Sequence, residues 1–139
     1  MKIAIDITYN PYGGTKTQIV NMLSHFSKIN KISLVVFITK NNEMIVKDIK
    51  QNNIKIKISK IAGISLAFRL LWQQLLLPLY LIINKVDVLF CPGNISPIIC
   101  PIKKLQWIGT IGPFFPDFYK NFSLSNKIKL HLNKFFMVI

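Results

Sequence analysis

Two adjacent glycines, Gly13-Gly14, stand between an apolar run at Ile3, Ile5 and Ile7 and a helical pattern from Thr15 onward. Glycine lets the backbone approach a ligand closely and adopts conformations closed to other residues. A helix starting behind such a pair offers free N–H groups and partial positive charge, which suits a diphosphate. Lys16 adds a full charge there. A tight turn with no ligand is the competing reading. The spacing is not G-x-G-x-x-G and no acidic residue closes the second strand, so a nicotinamide dinucleotide fingerprint is absent. With five acidic residues in all, paired-carboxylate chemistry has few candidates. Asp6, in the first strand, and Asp117, in an aromatic loop, could serve as a base; Asp87 reads as a strand-entry residue. No serine–histidine or cysteine–histidine constellation is legible. The aromatics of 113–119 suit stacking on a sugar, gripping a lipid tail, or filling the core.

The elements that position these residues alternate in type. Ile3-Ala4-Ile5-Asp6-Ile7 reads as a central parallel strand, buried on both faces. Thr15 and Gln18 form a capping-box pattern, followed by Ile19, Leu23 and Phe26 at helical spacing. Residues 33–38 predict a second buried strand. Asn41 or Asn42 caps a weak helix with Met44, Ile45 and Ile49. Ile54-Lys55-Ile56-Lys57-Ile58 alternates strictly, as an edge strand protected by lysine does. Ile64 to Ile83 is apolar over a membrane-spanning length, but Arg69, Gln73, Gln74 and Pro78 favour a buried or membrane-apposed helix kinked at the proline. Residues 86–90 and 105–111 predict two more strands. A last helix opens near Ser123 or Ser125, its stripe of Leu124, Ile128, Leu132 and Phe135 expected on the sheet. Such alternation means α/β with a mostly parallel sheet. Right-handed crossovers then gather Gly13-Gly14, the 91–97 loop and the 112–119 loop along one crevice.

Bulk properties narrow the partners. The net charge is +13, yet Arg69 is the only arginine among 18 basic residues. Bidentate phosphate and base recognition favours arginine, and no nucleic-acid-binding motif is present, so nucleic acid is not an expected partner. An anionic membrane surface or nucleotide phosphates fit better. Asp6 interrupts the first apolar run, which excludes a signal peptide there, and the Asn94 and Asn121 glycosylation patterns carry no weight without one. Cys91 and Cys100 match neither CxxC nor zinc spacing, and His25 and His131 each stand alone, so no metal site is expected.

The chain resembles the N-terminal domain of a family 4 glycosyltransferase of the GT-B type. Lys2-Ile3-Ala4-Ile5-Asp6 and Gly13-Gly14 carry part of the likeness. The more specific part is Arg69-Leu70-Leu71-Trp72-Gln73-Gln74-Leu75-Leu76-Leu77-Pro78, then Val86-Asp87-Val88-Leu89-Phe90-Cys91-Pro92-Gly93-Asn94 and Pro97. That family shows R-x-x-W-E-Q-x-x-x-P before a strand like A-D-V-L-H-x-P. Gln73 departs from the pattern's glutamate, and 110–114 lacks a histidine that many relatives have. The resemblance implies two Rossmann-like domains facing across a cleft, acceptor mainly on the first and nucleotide-sugar mainly on the second, where a basic residue and a glutamate pair hold it. Residues 1–139 would be the acceptor-side domain, with the donor-binding domain absent and the last helix cut short. The expected reaction moves a sugar from a nucleotide-sugar to a polysaccharide or lipid-linked acceptor, with the nucleotide-sugar as co-substrate, no bound cofactor or metal, and no turnover by this chain alone. Gly13, Gly14 and Lys16 would lie near the donor phosphates; Asn94, Ser96, Gly112, Pro113 and Asp117 would face the acceptor. The implied location is cytoplasmic, peripheral on the inner face of the plasma membrane. The alternatives are a non-catalytic half-domain acting as a membrane-surface or binding module, and another nucleotide-binding α/β protein.

Overall fold

The computed structural model describes residues 1–138 apart from 48, 50, 51, 94, 109–113 and 116–121, and describes only the backbone of 129, 133 and 136–138. It is an α/β domain of Rossmann-like type. Five strands, β1 (Lys2–Ile7), β2 (Ser33–Ile38), β3 (Ile54–Ile58), β4 (Val88–Cys91) and β5 (Lys103–Gln106), form one sheet in the order β3-β2-β1-β4-β5. Every pairing is parallel. β1 is central, with Ile5 opposite Val36 on one side and Phe90 on the other. β3 lies at the edge, where its alternating lysines predict it.

Each sheet face has its own core. On one, Ile5, Ile7, Leu34, Val36 and Ile38 pack against Ile19 and Leu23 of α1 (Gly13–Ser27) and against Ile45 and Val46. On the other, Ala4, Val35, Phe37, Leu89 and Cys91 pack against Leu77 and Leu81. The Phe37 ring touches Trp72 at 5.4 Å between centroids and meets Tyr80 edge-on at 4.9 Å.

Leu77 and Leu81 belong to one continuous helix over Leu66–Ile83, built from α2 (Leu66–Leu71), a π-helical turn at Trp72–Leu76 and α3 (Leu77–Ile83). Pro78 has no N–H to donate, and its ring crowds the carbonyl four residues earlier. The preceding turn widens: the Leu77 N–H donates to the Trp72 carbonyl, five residues back. The expected proline kink thus takes the form of a π turn. Among the described residues this helix alone is long and apolar enough to cross a membrane. Its Gln73, Leu77 and Leu81 are nevertheless buried against the sheet, while Phe68, Leu71, Leu75, Leu79 and Ile82 are exposed on its outer side.

Several boundaries differ from the sequence reading. α1 starts at Gly13, not Thr15; its N-cap is Tyr12 with no side-chain cap bond, so the Thr15/Gln18 capping box is not made. Gly13 reaches φ +56°, a left-handed value that glycine adopts freely. The weak helix is a 3₁₀ segment, Lys40–Ile45, whose N-cap is Thr39; Asn42 accepts the Thr39 N–H at 2.7 Å. β5 begins at Lys103 and ends at Gln106, before Trp107; the expected end at 111 lies outside the described residues. The last helix, α4 (Leu124–Val138), opens after Ser123 as expected, but Leu124, Ile128 and Phe135 are exposed rather than packed on the sheet. Leu132, the fourth residue of that stripe, is half-buried.

Leu77 is fully buried. Leu77→Ala should cost about 2–5 kcal/mol. Urea denaturation checks this: the midpoint should fall with the slope unchanged.

Candidate functional site

β1 carries a carboxylate where its neighbours carry hydrocarbon. Asp6 shares the face of Ala4, beneath the Leu66–Ile83 helix, and is 2% exposed. One oxygen accepts the Thr8 backbone N–H at 3.1 Å, and the other accepts from Gln73 Nε2 at 2.7 Å. Burial raises the Asp6 pKa, and the bonds from Gln73 and Thr8 and the nearby Arg69 guanidinium only partly offset that rise.

The π turn aims two consecutive glutamines at the loop after β4. Gln73 Nε2 also lies 3.5 Å from the Ile95 carbonyl. Gln74 donates to the Ser96 carbonyl at 3.2 Å and accepts the Ile98 N–H at 2.8 Å. From the other side, Ser96 Oγ donates to Gln106 Oε1 at 2.7 Å, and Lys104 Nζ donates to the Pro97 carbonyl at 2.8 Å. The Tyr9 hydroxyl donates to the Pro92 carbonyl. The Tyr9 ring lies so close to Gly93 that a β-carbon there would come within 2.8 Å of it. Gly93 is therefore needed for close approach. Burial, then Asp6 and Cys91, push the Tyr9 pKa up, which keeps its hydroxyl a donor.

These contacts hold open a crevice of about 780 Å³ at the carboxyl edge of the sheet. Gly13, Gly14 and Thr15 form one wall, Pro92, Gly93 and Ile95 another, with Arg69 and Gln73 between and the Tyr12 and Trp107 rings at the rim. A β-carbon at Gly13 or Gly14 would meet nothing within 4 Å. The first turn of α1 holds no acidic residue and no side-chain cap, so its free N–H groups and partial positive charge are not neutralised locally. A smaller cavity of about 400 Å³ adjoins it, sharing Asn10, Arg69 and Ile95. Three polar atoms in this region are buried without a hydrogen-bond partner among the described residues: Thr8 Oγ1, Arg69 Nε, a donor, and Gln73 Oε1, an acceptor.

The structure brings Gly13 and Gly14 to the crevice together with the loop after β4. Lys16 is exposed on α1 and does not line it. Ser96 is 1% exposed, its hydroxyl committed to Gln106. Asn94, Gly112, Pro113 and Asp117 lie outside the described residues. Asp87 sits at the opposite sheet edge, where its carboxylate accepts the Lys2 N–H at 2.6 Å. The sequence reading did not assign Arg69, Gln73, Tyr9 or Trp107 to the site. Its available signal was three polar residues, 69, 73 and 74, in a helix otherwise apolar enough for a membrane. Among the described residues no three His, Cys, Asp or Glu side chains converge as a metal site requires. Cys91 is a buried free thiol whose pKa burial pushes up.

No protein-family model, curated protein or solved structure matches the chain.

Because the folded pKa of Asp6 lies above its ordinary 3.8, the folded protein retains a proton that the unfolded chain releases. Asp6 therefore lowers stability progressively as pH rises above that value, and fully once the folded pKa is passed. Asp6→Asn removes this dependence, and with the Gln73 amide flipped its Nδ2 donates to Gln73 Oε1. Urea midpoints from pH 4 to 8 should fall less steeply for Asp6→Asn than for the parent, with the variant the more stable at neutral pH.

Proposed function

We propose that this chain forms the acceptor-side half of a glycosyltransferase cleft of the family 4, GT-B type, acting on a nucleotide-sugar and a polysaccharide or lipid-linked acceptor. The observation that carries the reading is the uncapped, glycine-led start of α1 opening onto a crevice with Arg69 on its far side. Ligands of open parallel sheets bind outside the carboxyl ends of the strands, where this crevice lies. The α1 N–H groups would face the donor diphosphate, and Arg69 would add the permanent charge first assigned to Lys16. The Tyr12 and Trp107 rings offer apolar faces to a base or sugar. The chain's own part is positioning and electrostatics. Glu43 is its only glutamate, so the family's donor-holding glutamate pair is not among these residues.

Titration of the ¹⁵N-labelled chain with UDP tests this. The amides of Gly13, Gly14 and Thr15 should shift. Gly14→Ala, whose new methyl meets open space, should leave thermal stability unchanged and weaken binding. Absence of shifts at these amides in the parent overturns the reading.

A second reading, a membrane-surface module, is favoured by the exposed apolar side of the Leu66–Ile83 helix on a chain of net charge +13. The full chain should then sediment with phosphatidylserine vesicles at low salt, and Leu75→Ser/Leu79→Ser should reduce that fraction. Equal sedimentation with neutral vesicles would remove the electrostatic part.

A further inference from the structure

The smaller cavity differs from the crevice in chemistry. At about 400 Å³ it falls within the range of small-molecule pockets. Polar side chains come to it from separate parts of the chain: Asn10 after β1, Asn41 after β2, and Ser65 ahead of α2, with Thr8 and Thr39 behind them. Leu66 and Leu132 add apolar walls, no acidic residue among the described ones lines it, and its charged member is Arg69. Arg69 Nε itself is buried with no hydrogen-bond partner among the described residues. Nearby, Asn42 donates to the Ile7 and Tyr9 carbonyls and accepts from Thr39, which holds the two strand ends in fixed relation before any ligand arrives.

We propose that this cavity binds a phosphorylated monosaccharide, with Arg69 taking the phosphate and Asn10, Asn41 and Ser65 taking the ring hydroxyls. A planar guanidinium matches phosphate oxygens two at a time, and hydroxyl and amide side chains exchange hydrogen bonds with a polyol in either direction. The absence of a lining carboxylate among the described residues removes the repulsion that would exclude an anion. The inference goes beyond the nucleotide-sugar reading, which concerns the larger crevice and is scored on the amides of Gly13 and Gly14.

The test is a titration of the full ¹⁵N-labelled chain with glucose 6-phosphate, inorganic phosphate and glucose. Glucose 6-phosphate should shift the amides of Thr39, Asn41 and Ser65 and bind more tightly than either other probe. Asn41 is exposed and lines only this cavity, so Asn41→Ala should weaken glucose 6-phosphate roughly threefold to tenfold while leaving the UDP response of the parent unchanged. Arg69→Lys, which keeps the charge but not the planar fork, should weaken it roughly tenfold or more. The proposal is overturned if glucose 6-phosphate leaves those amides unmoved, if inorganic phosphate binds as tightly, or if Asn41→Ala binds glucose 6-phosphate like the parent.

Discussion

A carboxylate at the end of the central strand constrains this molecule more than any other single group. β1 has a parallel neighbour on both sides and a helix against both faces, so Asp6 is removed from water by the same packing that builds the core. A buried carboxyl requires donors at hydrogen-bonding distance. Thr8 supplies one from the backbone and Gln73 the other from the helix. The second bond sets the rotation of the Leu66–Ile83 helix about its axis, since Gln73 must face the sheet together with Leu77 and Leu81.

That helix meets two demands in one turn. Pro78 makes a regular α-helical hydrogen-bond pattern impossible, and the π turn that absorbs it is the turn that carries Gln73 and Gln74. The two amides then tie down 95–98, with Tyr9 holding Pro92 and Gly93 from β1 and Gln106 and Lys104 holding the loop from β5. A segment with no regular structure becomes a fixed wall because nearly every element around it contributes a bond. Arg69, one helical turn before Gln73, lies above the carboxylate and joins the two cavities. The site therefore has a buried carboxyl in its floor and permanent positive charge at its mouth, opposite the uncapped start of α1.

The outer surface follows a different logic. The side of the Leu66–Ile83 helix that faces away from the sheet is as apolar as the side that packs, and Leu124, Ile128 and Phe135 of α4 are exposed as well. The lysines give the chain its charge without arginine's directional hydrogen bonding.

The parallel strands and the central place of β1 were readable because strands buried on both faces are written as short apolar runs, and the lysine alternation of 54–58 identified the edge. The glycine pair, its meeting with the loop after β4 and the helix start after Ser123 were legible for similar local reasons. The start of α1 was not, since Gly13 enters the helix through a left-handed conformation that leaves no signature in side-chain pattern. Nor was the inward turn of Ser96, whose partner Gln106 lies on the neighbouring strand. The amino-acid order by itself determined which segments are strands and helices, because periodicity and burial are properties of each segment alone. Only the tertiary structure decided that Asp6, Arg69, Gln73 and Tyr9 form one site: their meeting depends on a crossover, a π turn and a strand register, and none of these is encoded within any one segment.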